Sequence, residues 1–344
     1  MCSSDLIGSG FLGSNVANKF TDVGNTVTKT NLTNVQKGSH VLDITDSIAV
    51  KKCFSEIKPD IVINCAGSTD IDFLEKNPQF ALSINGHGVK NLASVSEEFN
   101  SRFIQISTDG VFDGIKGNYT EYDKPSPVNA YARSKIIGEK ETMENCQDHV
   151  VIRTNFYGIH QNGRFLFSNI LSKLQSGIPI VGFDDVIFTP LEVSNLAELI
   201  TDIAFSNYNG ILNLSSNELI TKYEFCFHMA NSLGFKSSLV KKGSIDEVEF
   251  IAKRPKNTSL INTKSKQFRG ARSNVETISQ VVSPTDLFPD KDILIISTVD
   301  SANYAIHDIS PEEVMNYLYK VDKNKTVTQN KFNVGLADRK STRL

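Results

Sequence analysis

The run Ile61-Val62-Ile63, entered from Pro59-Asp60 and left through Asn64-Cys65-Ala66-Gly67, is apolar at every central position. Successive side chains of a strand point to opposite faces, so such a strand has to be covered on both. Parallel sheets sandwiched between helices supply that environment, and antiparallel sheets with one wet face do not. The rest of the chain alternates in the same way. Leu6-Ile7 runs into Gly8-Ser9-Gly10-Phe11-Leu12-Gly13 and then a helical pattern with Phe11, Leu12, Val16 and Phe20 on one side. A second strand is expected at Thr26–Thr30. Val41–Ile44 reads as a short third strand leading to a helix capped near Thr45 or Asp46.

A long helical region from about Asn77 to Phe99 is expected next, followed by the strand Phe103–Ile106 and a loop rich in Gly and Asp. Val128–Met143 reads as a helix, and Val150–Arg153 as the strand that closes six or seven alternating units. The fold class is therefore α/β, a Rossmann-like doubly wound parallel sheet. After Gly158 the alternation loosens, with a helix around Phe165–Gln175 and segments such as Ile178–Val181, which reads as a smaller C-terminal lobe closing a cleft at the sheet edge. Residues 1–157 would mainly form the nucleotide-binding domain and residues 158–268 the substrate lobe. Residues 269–344 form an unassigned extension in which Asp292–Ile296 could be a strand and Pro311–Tyr319 a helix. Both ends, Met1–Asp5 and Asp338–Leu344, are compositionally abrupt and read as non-native segments.

Charge and cysteine usage remove other classes. A net charge of -3, from 36 basic and 39 acidic residues, gives no reason to expect nucleic acid or an anionic membrane surface. No apolar run approaches the ~20 residues of a membrane helix. Five cysteines, an odd number with no CxxC or Cys/His metal spacing, fit a reducing cytosol better than a disulfide framework, so a cytoplasmic location is expected. The histidines, among them His87, His160 and His228, lack a repeated ligand spacing, and no metal site is assigned.

Chemistry concentrates at the expected strand ends. In the glycine loop Gly8 permits a tight turn, Gly10 lets backbone approach a pyrophosphate, and Gly13 lets the helix pack near the strand, with Phe11 and Leu12 at the helix start facing the phosphates. No acid closes the second strand, so Lys29, Thr30 and Asn31 leave room for a 2′-phosphate, with Lys29 the candidate partner or else a solvated lysine. Asp43 and Ile44 would lie near an adenine, although a helix cap explains Asp43 as well. Asn64, Cys65, Ala66 and Gly67 bring small residues to a strand end where a flat cofactor could pass, or form a plain turn. Cys65 is expected to be a buried hydrophobe rather than a nucleophile. Ser107-Thr108 closes the next strand, which sets a hydroxyl opposite Tyr131. Tyr131 and Lys135 are four apart on one helix face, where the ammonium would favour the phenolate.

Taken in order, Gly8–Gly13, Asp43-Ile44, Asn64–Gly67, Ser107-Thr108-Asp109 and Tyr131–Lys135 resemble the extended short-chain dehydrogenase/reductase family. The stretches Ser107–Gly114, Tyr119-x-Glu121, Pro125-x-Pro127-x-Asn129-x-Tyr131, Ile152-Arg153-Thr154 with Tyr157-Gly158, and Arg254–Leu260 look like its dTDP-4-dehydrorhamnose reductase branch. The resemblance covers about residues 6–268. It implies an NADPH-dependent reductase of a nucleotide-linked 4-keto-6-deoxy sugar, with NADH possible. Tyr131 would be the general acid, Lys135 would bind the nicotinamide ribose and lower the Tyr131 pKa, and Thr108 would hydrogen-bond the carbonyl. Asp109 and Phe156 would contact substrate, and a homodimer is a possible assembly.

Three departures from the branch stand out. The loop is GxGxxG rather than GxxGxxG, Gly110 stands where the branch has Tyr, and Phe156 stands where an active-site Trp is usual. The alternatives are a nucleotide-sugar epimerase or dehydratase, for which Asp109-Gly110 lacks the second acid, and a non-catalytic cofactor-binding regulatory subunit.

Overall fold

The computed structural model describes residues 5–8, 10–32, 39–159 and 166–268. The expected segments Asp292–Ile296 and Pro311–Tyr319 and the two abrupt ends, apart from Asp5, lie outside them. In chain order the elements begin with β1 Asp5–Gly8, α1 Phe11–Asp22, β2 Val27–Asn31, β3 Ser39–Val41, α2 Ser47–Ile57 and β4 Ile61–Asn64. Helices α3 Ile71–Lys76, α4 Pro78–Leu82 and α5 Val89–Glu98 precede β5 Arg102–Ile106, α6 Ala130–Asn145 and β6 His149–Thr154. There follow β7 Phe156–Tyr157, α7 Leu166–Gln175, β8 Ile180–Phe183, β9 Ile187–Phe188, β10 Leu191–Glu192, α8 Val193–Ala204 and β11 Gly210–Leu214. The last are β12 Ile220–Thr221, α9 Lys222–Ser232 and β13 Val240–Gly243.

Seven strands form one sheet in the order β11-β6-β5-β4-β1-β2-β3, and every neighbouring pair is parallel. The order reverses between β1 and β4, whose registers pair Ile7 with Ile63. That reversal opens the crevice at the carboxyl ends of the strands where doubly wound folds take ligands. All four residues of β4 are buried, as its apolar run requires. Ile61 and Ile63 face the layer with Phe11, Val16, Leu196 and Ile200, and Val62 faces Val50, Phe54, Val89 and Leu92.

Several boundaries differ from the sequence expectation. The third strand is Ser39–Val41, so Leu42, Asp43 and Ile44 form the loop after it; Asp46 then caps α2 through Ile48 N and Ala49 N. The expected helix over Asn77–Phe99 is interrupted by a π turn at Ser83–Gly88, an insertion that local periodicity does not announce. The division near residue 157 is not clean along the chain. Helix α8 packs on α1, and β11 pairs with β6 through Asn213↔Arg153 and Leu214↔Thr154, so both belong to the main sheet body.

What remains of the second lobe is a smaller core of Tyr157, Phe167, Ile170, Phe188, Phe225 and Met229. Short strand pairs β8·β13 and β9·β12 frame it. No described helix is long and apolar enough to cross a membrane. The described cysteines Cys53, Cys65, Cys146 and Cys226 are free thiols.

Candidate active site

Helix α6 starts where its capping chemistry puts it. Asn129 has extended backbone and accepts from Ala132 N at 2.9 Å, while its own amide donates to Lys253 O at 2.9 Å. The cap thus ties the helix to the second lobe and sets Tyr131 one residue into the first turn. Tyr131, Thr108 and Asp109 share a wall of a cavity of about 590 Å³ between sheet edge and lobe. Burial pushes the Tyr131 phenol up to about 12, against a hydrogen bond with Thr108 that lowers it and with the Asp109 charge raising it further.

The lysine expected to act on the phenol sits against the end of β5. Lys135 is buried and its Nζ donates to Ile106 O at 2.7 Å, so its ammonium is given to the end of β5. Burial draws it down to about 8, with Glu139 and Cys65 opposing the shift. Burial likewise favours the protonated phenol of Tyr131.

Asp109 is buried and multiply held. It accepts from Thr258 Oγ1 at 2.6 Å, Asn155 Nδ2 at 3.1 Å and Thr108 Oγ1 at 3.2 Å. Burial nevertheless raises its pKa, with those hydrogen bonds and the Lys222 charge pulling it back. Lys222, at the first position of α9, lines the same cavity, lies 3.3 Å over the Phe188 ring and is lowered to about 8 by burial. Arg254 closes another side through Asp72 at 3.0 Å.

Lys222 and Asn155 were not singled out from sequence. The signal for Lys222 was the capping box Thr221-x-x-Glu224, which fixes the start of α9 and hence the direction of the residue after the cap. Thr258 lay unread inside the Arg254–Leu260 motif, whose backbone joins Ser259 O to Tyr119 N at 2.8 Å.

A dinucleotide has a suitable cradle on the other side of Tyr131. Helix α1 begins at Gly10 with no side-chain cap, and a Cβ at Gly10 would meet nothing within 4 Å. A glycine at a helix N-terminus with room beside it is a phosphate-binding arrangement. Gly8 ends β1 and Gly13 is buried in α1 beside Leu12 and Phe11. Gly67 runs past the lysine, since a Cβ there would lie 3.0 Å from Asn85 Oδ1 and 3.9 Å from Lys135 Nζ. Chemistry and space therefore fit a nicotinamide dinucleotide.

Other expected contacts are redistributed. Asn64 is buried and committed to Gln105 Oε1 at 2.8 Å and Ala66 N at 3.1 Å, so it builds the turn after β4. Cys65 is partly buried against the core and its thiol is pushed up to about 12, which makes it inert. Asp43 is exposed and accepts from Thr45 N at 2.9 Å in a local turn, while Ile44 packs against the second face of the sheet. Lys29 stands two residues before the end of β2, and Asn31, which is buried, closes that strand. Phe156 does not line the cavity. Strand β7 pairs it with Leu191, and its ring packs 6.1 Å from Phe11 at the start of α1, while Asn155 takes the cavity wall.

Residues 6–282 match the model of the RmlD substrate binding domain. The chain is 31% identical over 226 residues to the "Probable low-salt glycan biosynthesis reductase Agl14" of Haloferax volcanii, covering 64% of this chain and 75% of that protein. It is 30% identical over 237 residues to methionine adenosyltransferase 2 subunit beta of Rattus norvegicus, covering 64% and 68%. Among solved structures, dTDP-4-dehydrorhamnose reductase from Bacillus anthracis in complex with NADP superposes with a TM-score of 0.76 at 25% identity, over 82% of this chain and 99% of that one. The chain belongs to the RmlD substrate binding domain family, within the extended short-chain dehydrogenase/reductase group of NAD(P)-dependent oxidoreductases.

Proposed function

We propose that this protein is an NADPH-dependent reductase of a nucleotide-linked 4-keto-6-deoxy sugar, with Tyr131 as general acid. The observation that carries the reading is the shared cavity wall of Tyr131 and Thr108, with Lys135 buried directly behind. The NADP complex of the Bacillus anthracis relative and the uncapped start of α1 support the cofactor. When bound, NADPH supplies a hydride to the ketone carbon.

The chain's residues handle the proton and the geometry. A phenol raised to about 12 stays protonated at neutral pH, as an acid must before it acts, and still delivers its proton to the more basic oxygen of a developing alkoxide. Thr108 presents a hydroxyl to the same oxygen. Lys135, fixed by Ile106, would hold the nicotinamide ribose with its positive charge. The described part of residues 166–268, apart from α8 and β11, would form the lobe that holds the sugar. Within it Lys222 and Arg254 line the cavity that Asp109 also lines, and would select among polar sugar substituents. Phe156, packed on Phe11, serves the cofactor side.

The test is to mix the protein with NADPH and dTDP-4-keto-6-deoxyglucose or its rhamnose-series epimer and follow nicotinamide absorbance. Steady consumption of NADPH is expected. Binding of NADPH with no turnover on either sugar would contradict the reductase and favour a regulatory role of the kind carried in the name of the Rattus norvegicus relative.

A further inference from the structure

One buried ionic cluster is not used by this chemistry. Glu139, on α6 one turn beyond Lys135, and Arg153, on β6, have side chains 3% and 2% exposed. Arg153 Nε donates to Glu139 Oε1 at 3.0 Å and Nη2 donates to Oε2 at 2.7 Å. Ser107 Oγ, from the residue between the Lys135-bound carbonyl and Thr108, donates to Oε1 at 2.5 Å. The guanidinium lies 5.2 Å over the Phe112 ring, and its Nη1 is buried without a hydrogen-bond partner.

A buried pair with an unmet donor is a poor device for stability, because apolar replacements of such pairs are often neutral or stabilising. Its location suggests another use. Glu139 joins the three elements that carry the site: α6 with Tyr131 and Lys135, the end of β5 with Thr108, and β6, which leads into Asn155. Residues four apart on a helix have Cβ atoms about 5–6 Å apart, so Glu139 and Lys135 share one face of α6.

We propose that Glu139, clamped by Arg153 and Ser107, is a positioning residue that keeps the Lys135 ammonium charged and bound to the Ile106 carbonyl. The inference rests on the reading of Tyr131 and Lys135 as the reacting pair. The groups around Lys135 leave Glu139 as the nearby anion. From the β4 loop it meets the Cys65 thiol, which is neutral; from the π turn, Asn85, whose amide is committed to Ser68 and Ser134. From β5 it meets the Ile106 carbonyl and Ser107, and from β6 Arg153 through Glu139. On its own helix it has Tyr131, a neutral phenol, and Glu139. Among these Glu139 is the largest charge that acts to hold its proton, beside the Ile106 carbonyl that accepts from it.

The experiment is an NMR titration of the ligand-free protein carrying 13C at the lysine ε-carbon, with the Lys135 signal identified by its loss in Lys135→Arg. Wild type should titrate near 8. In Glu139→Gln the midpoint should fall by about one pH unit, a tenfold change in the ionisation constant, and Glu139→Asp, which keeps the charge, should restore most of it. An unmoved midpoint in folded Glu139→Gln overturns the proposal, because a merely structural clamp would lower thermal stability without moving the lysine. If that variant does not fold, Glu139→Gln with Arg153→Met is compared with Arg153→Met alone, so that only the carboxylate differs, and the same fall between the two or its absence decides. Turnover of Lys135→Met separates the two readings. If it reduces the sugar normally while the midpoint shift is present, the reacting pair is misassigned and Glu139 is not. If it is inactive and the midpoint is unmoved, only the Glu139 inference fails.

Discussion

Lys135 and Tyr131 lie one helical turn apart on α6, yet the Lys135 ammonium donates to Ile106 O at 2.7 Å while the Tyr131 phenol is held high by burial. The pair therefore divides the work. In the proposed reaction the tyrosine would supply the proton, and the lysine would fix charge and backbone beside it.

That division sets a pH dependence. Lys135 is charged below its folded value of about 8 and neutral above it, so activity that needs the ammonium is retained on the acid side and lost as pH rises through 8. The rate profile of kcat/KM between pH 6 and 10 should show one basic limb near that value. Lys222, lowered to the same range, offers a rival cause. In Lys222→Met the limb should persist, and its disappearance would assign the limb to Lys222 instead.

Asp109 holds Thr258, Asn155 and Thr108 in place. Truncation to Ala leaves these buried donors without an acceptor, at a cost of about 1–3 kcal/mol for each unsatisfied group. Asp109→Ala should lower the urea midpoint strongly, and Asp109→Asn, which keeps an acceptor oxygen, should lower it by less than half as much. Equal losses would show that the hydrogen bonds do not carry the effect.

Gly110 faces the cavity, and a Cβ there would lie 3.4 Å from Thr108 Oγ1, in ordinary contact. Gly110→Tyr should therefore fold with a stability change within about 1 kcal/mol. Filling the cavity should change KM for the sugar by tenfold or more and leave NADPH affinity within threefold. An unchanged KM would place the sugar elsewhere.

Much of this was legible in the chain before its structure. The buried run at Ile61–Asn64, the helix expected at Val128–Met143 and found at Ala130–Asn145, and the Thr108, Tyr131, Lys135 order all rest on local patterns, namely strand alternation and helical spacing. What was not legible depends on distant partners. Nothing near Gly210–Leu214 says that it pairs with Val150–Thr154. Phe156 looks like a substrate-facing aromatic until β7 turns it onto Phe11. Lys135 looks like a partner for Tyr131 until the carbonyl at the end of β5 comes within reach, and the Glu139–Arg153 pair exists only once α6 is laid against β6.

The central claim is that the Tyr131 hydroxyl supplies the proton. Removing a positioned general acid costs about 10²- to 10⁴-fold, so single-turnover reduction of a dTDP-4-keto-6-deoxy sugar by Tyr131→Phe loaded with NADPH should slow by that much, with NADPH affinity within a few-fold of wild type. A single-turnover rate equal to wild type would contradict the account.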